Sequence, residues 1–438
     1  MGDKKKSSKM GATRNMRTVL LKGPILSRSG YGEHVRCVFR ALQSRPDLYD
    51  IYIEPTNWGK TAWSYAETEE NQEILRCISK RAQFQGVFNL SLQVLIPNEW
   101  LDLAEKNIGV TAGIETDLAS AQWVQFCRDI DHVIVVSQHA KDVFVKSVYK
   151  DYVELANGQR ADLKVDKSHI DVIGYPYKKL TPEDMDLNLE TDFNFLAVAQ
   201  AGPRKCLDAT VRWFAEEFKD DNVGLIVKAN IVNNSIADRN NLLATFKNWV
   251  AQVKDRKCKV YLLHGNLNEN QIHHLYENDK IKCFVTTTHG EGFGLPIFEA
   301  AYSGLPVVAP AWSGQVDFLY KKYKKKNGKP NKKPLFTKVK YSLEKVQQNA
   351  VWENVIEADS KWAFPDEKSY KKSLRNVYEA YGSKKAMAEE LKEYIEEEMS
   401  EEKIHQKYVD LINKIYPPEV FEVSEWLQEI ENNLETHE

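Results

Sequence analysis

Two successive series of short apolar runs, each run followed by a stretch of helical period, constrain the fold of this chain more than any other feature of its sequence. In the first series, Thr18-Val-Leu-Leu-Lys22 reads as a buried strand. It is followed by the small-residue turn Ser27–Gly32 and a helix carrying Val35, Phe39 and Leu42. Further runs lie at Ile51–Ile53, Val87–Leu92, Val94–Ile96, Ile108–Ala112 and His132–Val136. The periodicity fades between Ile170 and Asp192, where Gly174, Pro176 and Pro182 interrupt it. A second series then begins with strand Phe193–Ala199, helix Lys205–Phe218, strand Val223–Lys228 and helix Ala237–Val253. It continues with strand Val260–Leu263, helix Glu269–Glu277, strand Ile281–Val285 and a helix opening at Pro296. Alternation of this kind requires mostly parallel sheets covered by helices on both faces. With 438 residues the chain is too long for one hydrophobic core. The expected architecture is therefore α/β, with two Rossmann-like domains. Its parts are a disordered basic tail over 1–15, a first domain over 16–175, a linker over 176–192 and a second domain over 193–382. Helices over 383–438 follow, free to pack back on the first domain, with Ser400 as a cap between two of them.

The formal net charge of -3 conceals a lysine-rich stretch over 321–340 and an acidic one over 389–402. Six cysteines (Cys37, Cys77, Cys127, Cys206, Cys258, Cys283) form no C-x-x-C pair, and no secretory signal pattern precedes them. Reduced thiols and a cytoplasmic location are the expectation. No apolar run of about 18 residues is present to span a bilayer, and Lys6 breaks the N-myristoylation pattern.

The second series contains HGEGFGLPIFEAAYSGLPVVAP, from His289 to Pro310, which places Glu291 and Glu299 eight positions apart. Gly290–Gly294 follows a strand and precedes a helix with Pro296 in its first turn, where proline's fixed φ fits. Glu291 thus belongs to a loop outside the carboxyl end of a strand, where open α/β sheets bind ligands. Successive amides at a helix start suit an anion or a sugar hydroxyl. Taken singly, each glutamate also fits a tight turn or an offset to the helix dipole. A further cue is Arg204 and Lys205. Leu207, Val211, Phe214 and Phe218 form the apolar stripe of the helix they precede, which leaves two cations at its positive end, a costly arrangement without an anion.

EGFGLPIFE resembles the E-x7-E motif of retaining glycosyltransferases of family 4, the group 1 glycosyltransferases, which have the GT-B fold of two Rossmann-like domains facing across a cleft. Val198-Ala-Gln-Ala-Gly-Pro-Arg-Lys205 is similar to the family's phosphate-binding loop, Gly30-Tyr-Gly32 to its N-terminal glycine turn, and Val135-Val-Ser-Gln-His-Ala-Lys141 to a strand and helix late in its first domain. The resemblance covers roughly Leu20 to Leu319. It implies that Glu291 contacts the donor sugar, that Gly292, Phe293, Gly294 and Leu295 supply amides to sugar and phosphate, and that Glu299 binds the ribose hydroxyls. Lys205 would neutralise the diphosphate, with Gly30, Gly32 and Arg204 also at the donor. The co-substrate implied is a nucleotide-sugar, UDP-sugar foremost, with no other cofactor.

Two departures stand out. Ala199 and Gln200 occupy the place of the family's usual arginine, so part of the phosphate clamp falls to Arg204. The usual histidine of the first domain is replaced by Thr111-Ala-Gly-Ile-Glu-Thr-Asp117, an E-T-D variant in which Glu115 and Asp117 are the candidates. Capping of the helix that contains Trp123 is the other reading of that pair.

Asp129-Ile-Asp131 precedes its strand and Asp184-Met-Asp186 lies in the linker, so neither pair is placed to hold a metal at a phosphate, and no metal ligand is assigned. The ten lysines of Lys321–Lys340, interleaved with Tyr323 and Phe336, suit either a polyanionic acceptor (nucleic acid, anionic glycan or lipid) or a solvated loop. The function expected is retaining transfer of a hexosyl unit from a nucleotide-sugar to an acceptor. An epimerase or hydrolase of the same fold, or a non-catalytic nucleotide-binding module, are the alternatives.

Overall fold

The computed structural model describes residues 16–63, 67–154, 158–325 and 327–417. The basic tail 1–15, Lys326 and the stretch 418–438 lie outside the described residues. Two six-stranded sheets, parallel throughout, organise the chain. The first runs in the order Tyr49–Pro55, Arg17–Gly23, Phe88–Val94, Ala104–Thr111, His132–Val135, Ile170–Val172. The second runs Lys259–Leu263, Gly224–Asn230, Asn194–Gln200, Ile281–Val285, Val307–Pro310, Thr337–Val339. Two Rossmann-like domains in the GT-B arrangement result.

The order of the second sheet positions the site. From the central strand Asn194–Gln200 the chain winds outward through Gly224–Asn230 to Lys259–Leu263. It then returns to the other side of the same strand with Ile281–Val285. The strand order reverses between Asn194–Gln200 and Ile281–Val285, and the loops leaving their carboxyl ends separate there to open a crevice. Those two loops carry Arg204 with Lys205, and Glu291.

Several element limits differ from the sequence reading. Ile170–Val172, assigned above to the start of the fading region, is a strand paired with Val133–Val135. The runs Val87–Leu92 and Val94–Ile96 make one strand, Phe88–Val94. Gly30 and Gly32 sit inside the first turn of helix Gly30–Gln43, not in a turn before it, because the Ser29 hydroxyl accepts from the Gly32 amide and caps the helix at that point. Arg204 and Lys205 form a short 3-10 turn, Pro203–Lys205, and the α-helix starts only at Leu207, after Cys206 in the left-handed region at φ 49°.

Leu207, Val211, Phe214 and Phe218 are buried, which anchors that helix on its sheet. A continuous apolar cluster reaches from Val19 and Leu21 of the first domain to Phe293 and Phe298 of the second, so the two domains share a core at their junction. Helix Glu401–Ile415, capped by Ser400, lies on helix Gly30–Gln43. Arg17 fixes its end by donating to the Tyr416 carbonyl at 2.6 Å and to Asn413 Oδ1 at 2.7 Å.

Among the described residues, three antiparallel strand pairs lie outside the two sheets. Tyr149–Glu154 pairs with Arg160–Leu163, Tyr320–Lys324 with Pro330–Pro334, and Tyr341–Lys345 with Lys361–Pro365. The second is the lysine-rich stretch. Its Lys321 and Lys333 both reach Glu390 of helix Tyr381–Glu398, at 3.4 and 2.7 Å. The six cysteines are all unpaired thiols. Among the described residues no helix is long and apolar enough to cross a membrane.

Candidate active site

Glu291 stands at the centre of the crevice with only 6% of its surface exposed. Its carboxylate accepts from Lys205 Nζ at 2.6 and 2.7 Å, from Arg204 Nη1 at 3.0 Å and from the Thr288 hydroxyl at 2.8 Å. Burial alone would raise the carboxyl's pKa. The charges of Lys205 and Arg204 outweigh that and hold it at about 2, so the group is ionised. For Lys205 the order is reversed: burial pulls the ammonium's pKa down, and the Glu291 charge offsets part of the fall. The two cations at the helix start therefore have Glu291 as their counterion.

The backbone around Glu291 is equally fixed. Its amide donates to the Ser313 hydroxyl at 2.8 Å, and its carbonyl accepts from the Gly314 amide at 2.9 Å. Ser313 holds a left-handed φ of 64° to make this contact, a conformation that costs a side-chain-bearing residue about 1 kcal/mol or more. The glycines beside Glu291 follow from close packing across the crevice. A β-carbon on Gly290 would stand 2.1 Å from the Glu115 carbonyl oxygen, and one on Gly292 would stand 2.2 Å from that of Ala112. The loop thus lies directly against the Thr111–Asp117 loop of the first domain.

Glu115 and Asp117 separate at this contact. The Glu115 carboxylate faces the crevice, 3.6 Å from Arg204 Nη2. Asp117 is used structurally: its carboxylate accepts from the Lys361 amide at 2.7 Å, and its own amide donates to the Lys361 carbonyl at 2.9 Å. Neither caps the helix containing Trp123, Ala121–Asp129, whose cap is Ser120.

Glu299 occupies a different part of the crevice. Tyr276 donates to its carboxylate at 2.8 Å. Burial pushes its pKa up to about 7, with the Tyr276 hydrogen bond and the Lys178 charge opposing. Beside it, Lys178 of the interdomain segment bridges Glu33 of the first domain and Glu269 of the second, at 2.8 Å each.

Of the remaining candidates, Gly30 is exposed on the crevice side, where a β-carbon would meet Leu295 Cδ1 at 4.0 Å. Gly32 is buried and serves packing, since a β-carbon there would overlap the Ser27 carbonyl at 2.0 Å. Phe293 turns its ring into a cluster with Tyr175, Phe298 and Phe318, with centroids about 5 Å apart, which leaves only its backbone for a ligand. Gly294, at φ 97°, caps helix Leu295–Tyr302 and leaves that helix's first amides without a side-chain cap. Sequence reasoning missed Thr288, Ser313, Tyr276 and Lys178.

Asp129 and Asp131 lie outside the crevice, where Asp131 binds Lys106 and the Asn107 amide, and Asp186 caps the Asn188 amide. Among the described residues no group of three or more histidines, cysteines or carboxylates is gathered to hold a metal ion.

Residues 187–333 match the family described as group 1 glycosyl transferases. No curated protein sequence matches the chain. Among solved structures, a glycosyltransferase from Rickettsia africae is similar over 92% of this chain and 99% of its own, at 13% identity and a TM-score of 0.54. Anabaena Alr3699/HepE, solved in complex with UDP and glucose, is similar over 91% and 100%, at 11% identity and a TM-score of 0.56. The lipopolysaccharide outer core galactosyltransferase WaaB gives 91% and 99%, at 10% identity and a TM-score of 0.53. Residues 187–333 are thus similar to group 1 glycosyl transferases, and the two sheets of the chain have the GT-B fold of these solved structures.

Proposed function

We propose that this protein is a retaining, family 4 type glycosyltransferase that moves a hexosyl unit from a nucleotide-sugar, UDP-sugar foremost, to an acceptor hydroxyl without a tightly held metal. The observation that carries the reading is the pair Arg204 and Lys205, held at the switch point of the second sheet on one buried carboxylate, Glu291. In glycosyl transfer from such a donor, the diphosphate gains negative charge as the sugar becomes oxocarbenium-like. Preorganised positive charge at the phosphate then supplies most of the catalysis.

In this reading Lys205 and Arg204 take the diphosphate, aided by the amides of Gly292 to Leu295 around the helix start. Gly30 approaches from the first domain. The arriving diphosphate displaces Glu291 from part of its ion pairs, and the freed carboxylate accepts from hydroxyls of the transferred sugar. Glu299 accepts from the ribose, and Glu115 borders the reacting carbon from the acceptor side. UDP is preferred because the complex of Alr3699/HepE contains UDP and glucose. Nucleotide release from UDP-glucose, measured with and without oligosaccharide acceptors, tests the proposal. Release accompanied by a second free sugar isomer in place of a glycoside would favour an epimerase. Nucleotide binding without any turnover would favour a non-catalytic module.

A further inference from the structure

Next to the loop that carries Glu115, the two domains together enclose a groove of about 550 Å3. Gln122 and Gln125 of helix Ala121–Asp129 form one wall, and Tyr149 and Tyr152 of strand Tyr149–Glu154 form the second. Asn354, Glu357 and Asp359 of the second domain form the third. The walls are tied together. The Ser120 hydroxyl donates to the Asn354 carbonyl at 2.8 Å, the Tyr149 hydroxyl donates to the Ala119 carbonyl at 2.6 Å, and the paired Asp117–Lys361 bonds lie just behind. The Tyr149 phenol is pushed up to about 12 by its burial and, next, by the charge of Glu357, which places that carboxylate close to the ring.

The chemistry of this lining differs from that of the lysine-rich hairpin. Tyr152 is 56% exposed, and its ring centroid lies 5.9 Å from that of Tyr149, so two aromatic rings border an open space. Around them stand side-chain amides and carboxylates, and among the described residues no lysine or arginine is in the lining. Asp359 is paired with Lys345 at 2.6 Å, which leaves Glu357 to set the local sign. Aromatic faces stack on the apolar faces of sugar rings, while amides and carboxylates exchange hydrogen bonds with hydroxyls. A polyanion would meet the Glu357 carboxylate, and Lys345, beside Asp359, is already engaged by the Asp359 carboxylate.

The groove begins three residues after Glu115, at Leu118, a span of about 11 Å at most. A chain of sugars lying in it therefore ends close to the reaction centre. From these features we infer that the groove is an acceptor subsite for a neutral, hydroxyl-rich glycan, with Tyr152 as its stacking platform and Gln122, Gln125 and Glu357 as hydrogen-bonding partners. The inference rests on the glycosyltransferase reading and gives its acceptor a class.

Calorimetry and saturation-transfer NMR on the full chain test it, with maltoheptaose and chitopentaose as neutral probes and a heparin-derived octasaccharide as the anionic one. At least one neutral probe should bind. Tyr152→Ala should weaken it about tenfold, whereas Tyr152→Phe, which keeps the ring, should bind within about twofold of wild type. Tyr152 is exposed, so both variants should keep the wild-type melting temperature and UDP affinity. The inference is overturned if neither neutral probe binds, if Tyr152→Ala binds like wild type, or if the heparin fragment is the only probe that Tyr152→Ala loses. Retained UDP binding with such an outcome removes the groove alone. Absent UDP binding in the wild type would instead remove the donor reading beneath it.

Discussion

Replacing Glu291 with glutamine keeps the shape of the side chain and a partner for the Thr288 hydroxyl, but removes the charge that Arg204 and Lys205 share. The magnitude follows from the carboxyl's titration. Its pKa is held at about 2 against an ordinary 4.5, a difference worth roughly 3 kcal/mol between charged and neutral forms. Because the folded value is depressed, that stabilisation is present above about pH 4.5 and is lost as the pH falls toward 2. At pH 7 the variant forfeits all of it and also strands a buried ammonium, so the total cost is about 3–5 kcal/mol. With about 2.1 cal/mol/K of unfolding entropy per residue, a 438-residue chain unfolding as one unit should melt about 3–5 °C lower. Pyrophosphate should reverse the loss. In the variant the anion enters a site where Lys205 has lost its carboxylate partner and Arg204 keeps only Glu115, whereas in the wild type it must displace Glu291. Thermal scans at pH 7 across a pyrophosphate series should therefore show a larger upward shift for Glu291→Gln than for the wild type. An unchanged melting temperature, or equal pyrophosphate shifts in both proteins, would refute the assignment of Glu291 as the stand-in for the donor's phosphates.

Glu299 titrates near neutrality, and its folded pKa is raised, so the associated stability is present below about pH 4.5 and declines as the pH rises through about 7. Glu299→Gln should remove that decline. Uridine, which carries no phosphate to titrate, should bind the wild type more tightly as the pH rises through about 7 and the variant equally across that same range, below the ionisation of the uracil imide, and a pH-independent wild type would contradict the ribose role. Lys205→Ala should lower donor turnover by at least about 100-fold, as expected for a charged contact at the leaving group, and turnover within threefold of wild type would remove the residue from the reaction. Changing Lys322, Lys324, Lys325 and Lys332 to glutamine should leave neutral-glycan and UDP affinity unchanged. A loss of acceptor use with a flattened salt dependence would return the acceptor role to the lysine-rich hairpin.

Much of the scaffold was legible because burial writes itself into periodicity. Helix Glu269–Glu277 and strand Ile281–Val285 have the limits read from sequence, since in each the apolar pattern stops where the structure turns. Ile170–Val172 was not legible, because a three-residue edge strand is too short to carry a period. The lysine-rich hairpin was hidden by composition: Pro330-Asn-Lys-Lys-Pro334 has neither alternation nor β-branched residues, and its pairing depends on Tyr320–Lys324 and on Glu390. At the site, motif spacing brought Glu291, Arg204, Lys205 and Glu115 to one crevice. What spacing could not supply was partnership. That Arg204 and Lys205 already share a counterion, that Asp117 binds backbone, and that Glu299 faces Tyr276 all depend on contacts between residues 23 to 244 positions apart.

The most direct test of the central claim is the release of free nucleotide from UDP-glucose, UDP-galactose and GDP-mannose in the presence of excess EDTA, with maltoheptaose as acceptor and the anomeric proton of the product followed by NMR. The account predicts nucleotide release with at least one donor, undiminished by EDTA, an added sugar with the anomeric configuration of the donor, and loss of both signals in Lys205→Ala. Release that vanishes with EDTA and returns with manganese, or a product of inverted configuration, would contradict the mechanism. No release from any donor by a folded protein that still binds UDP would contradict the enzymatic claim itself.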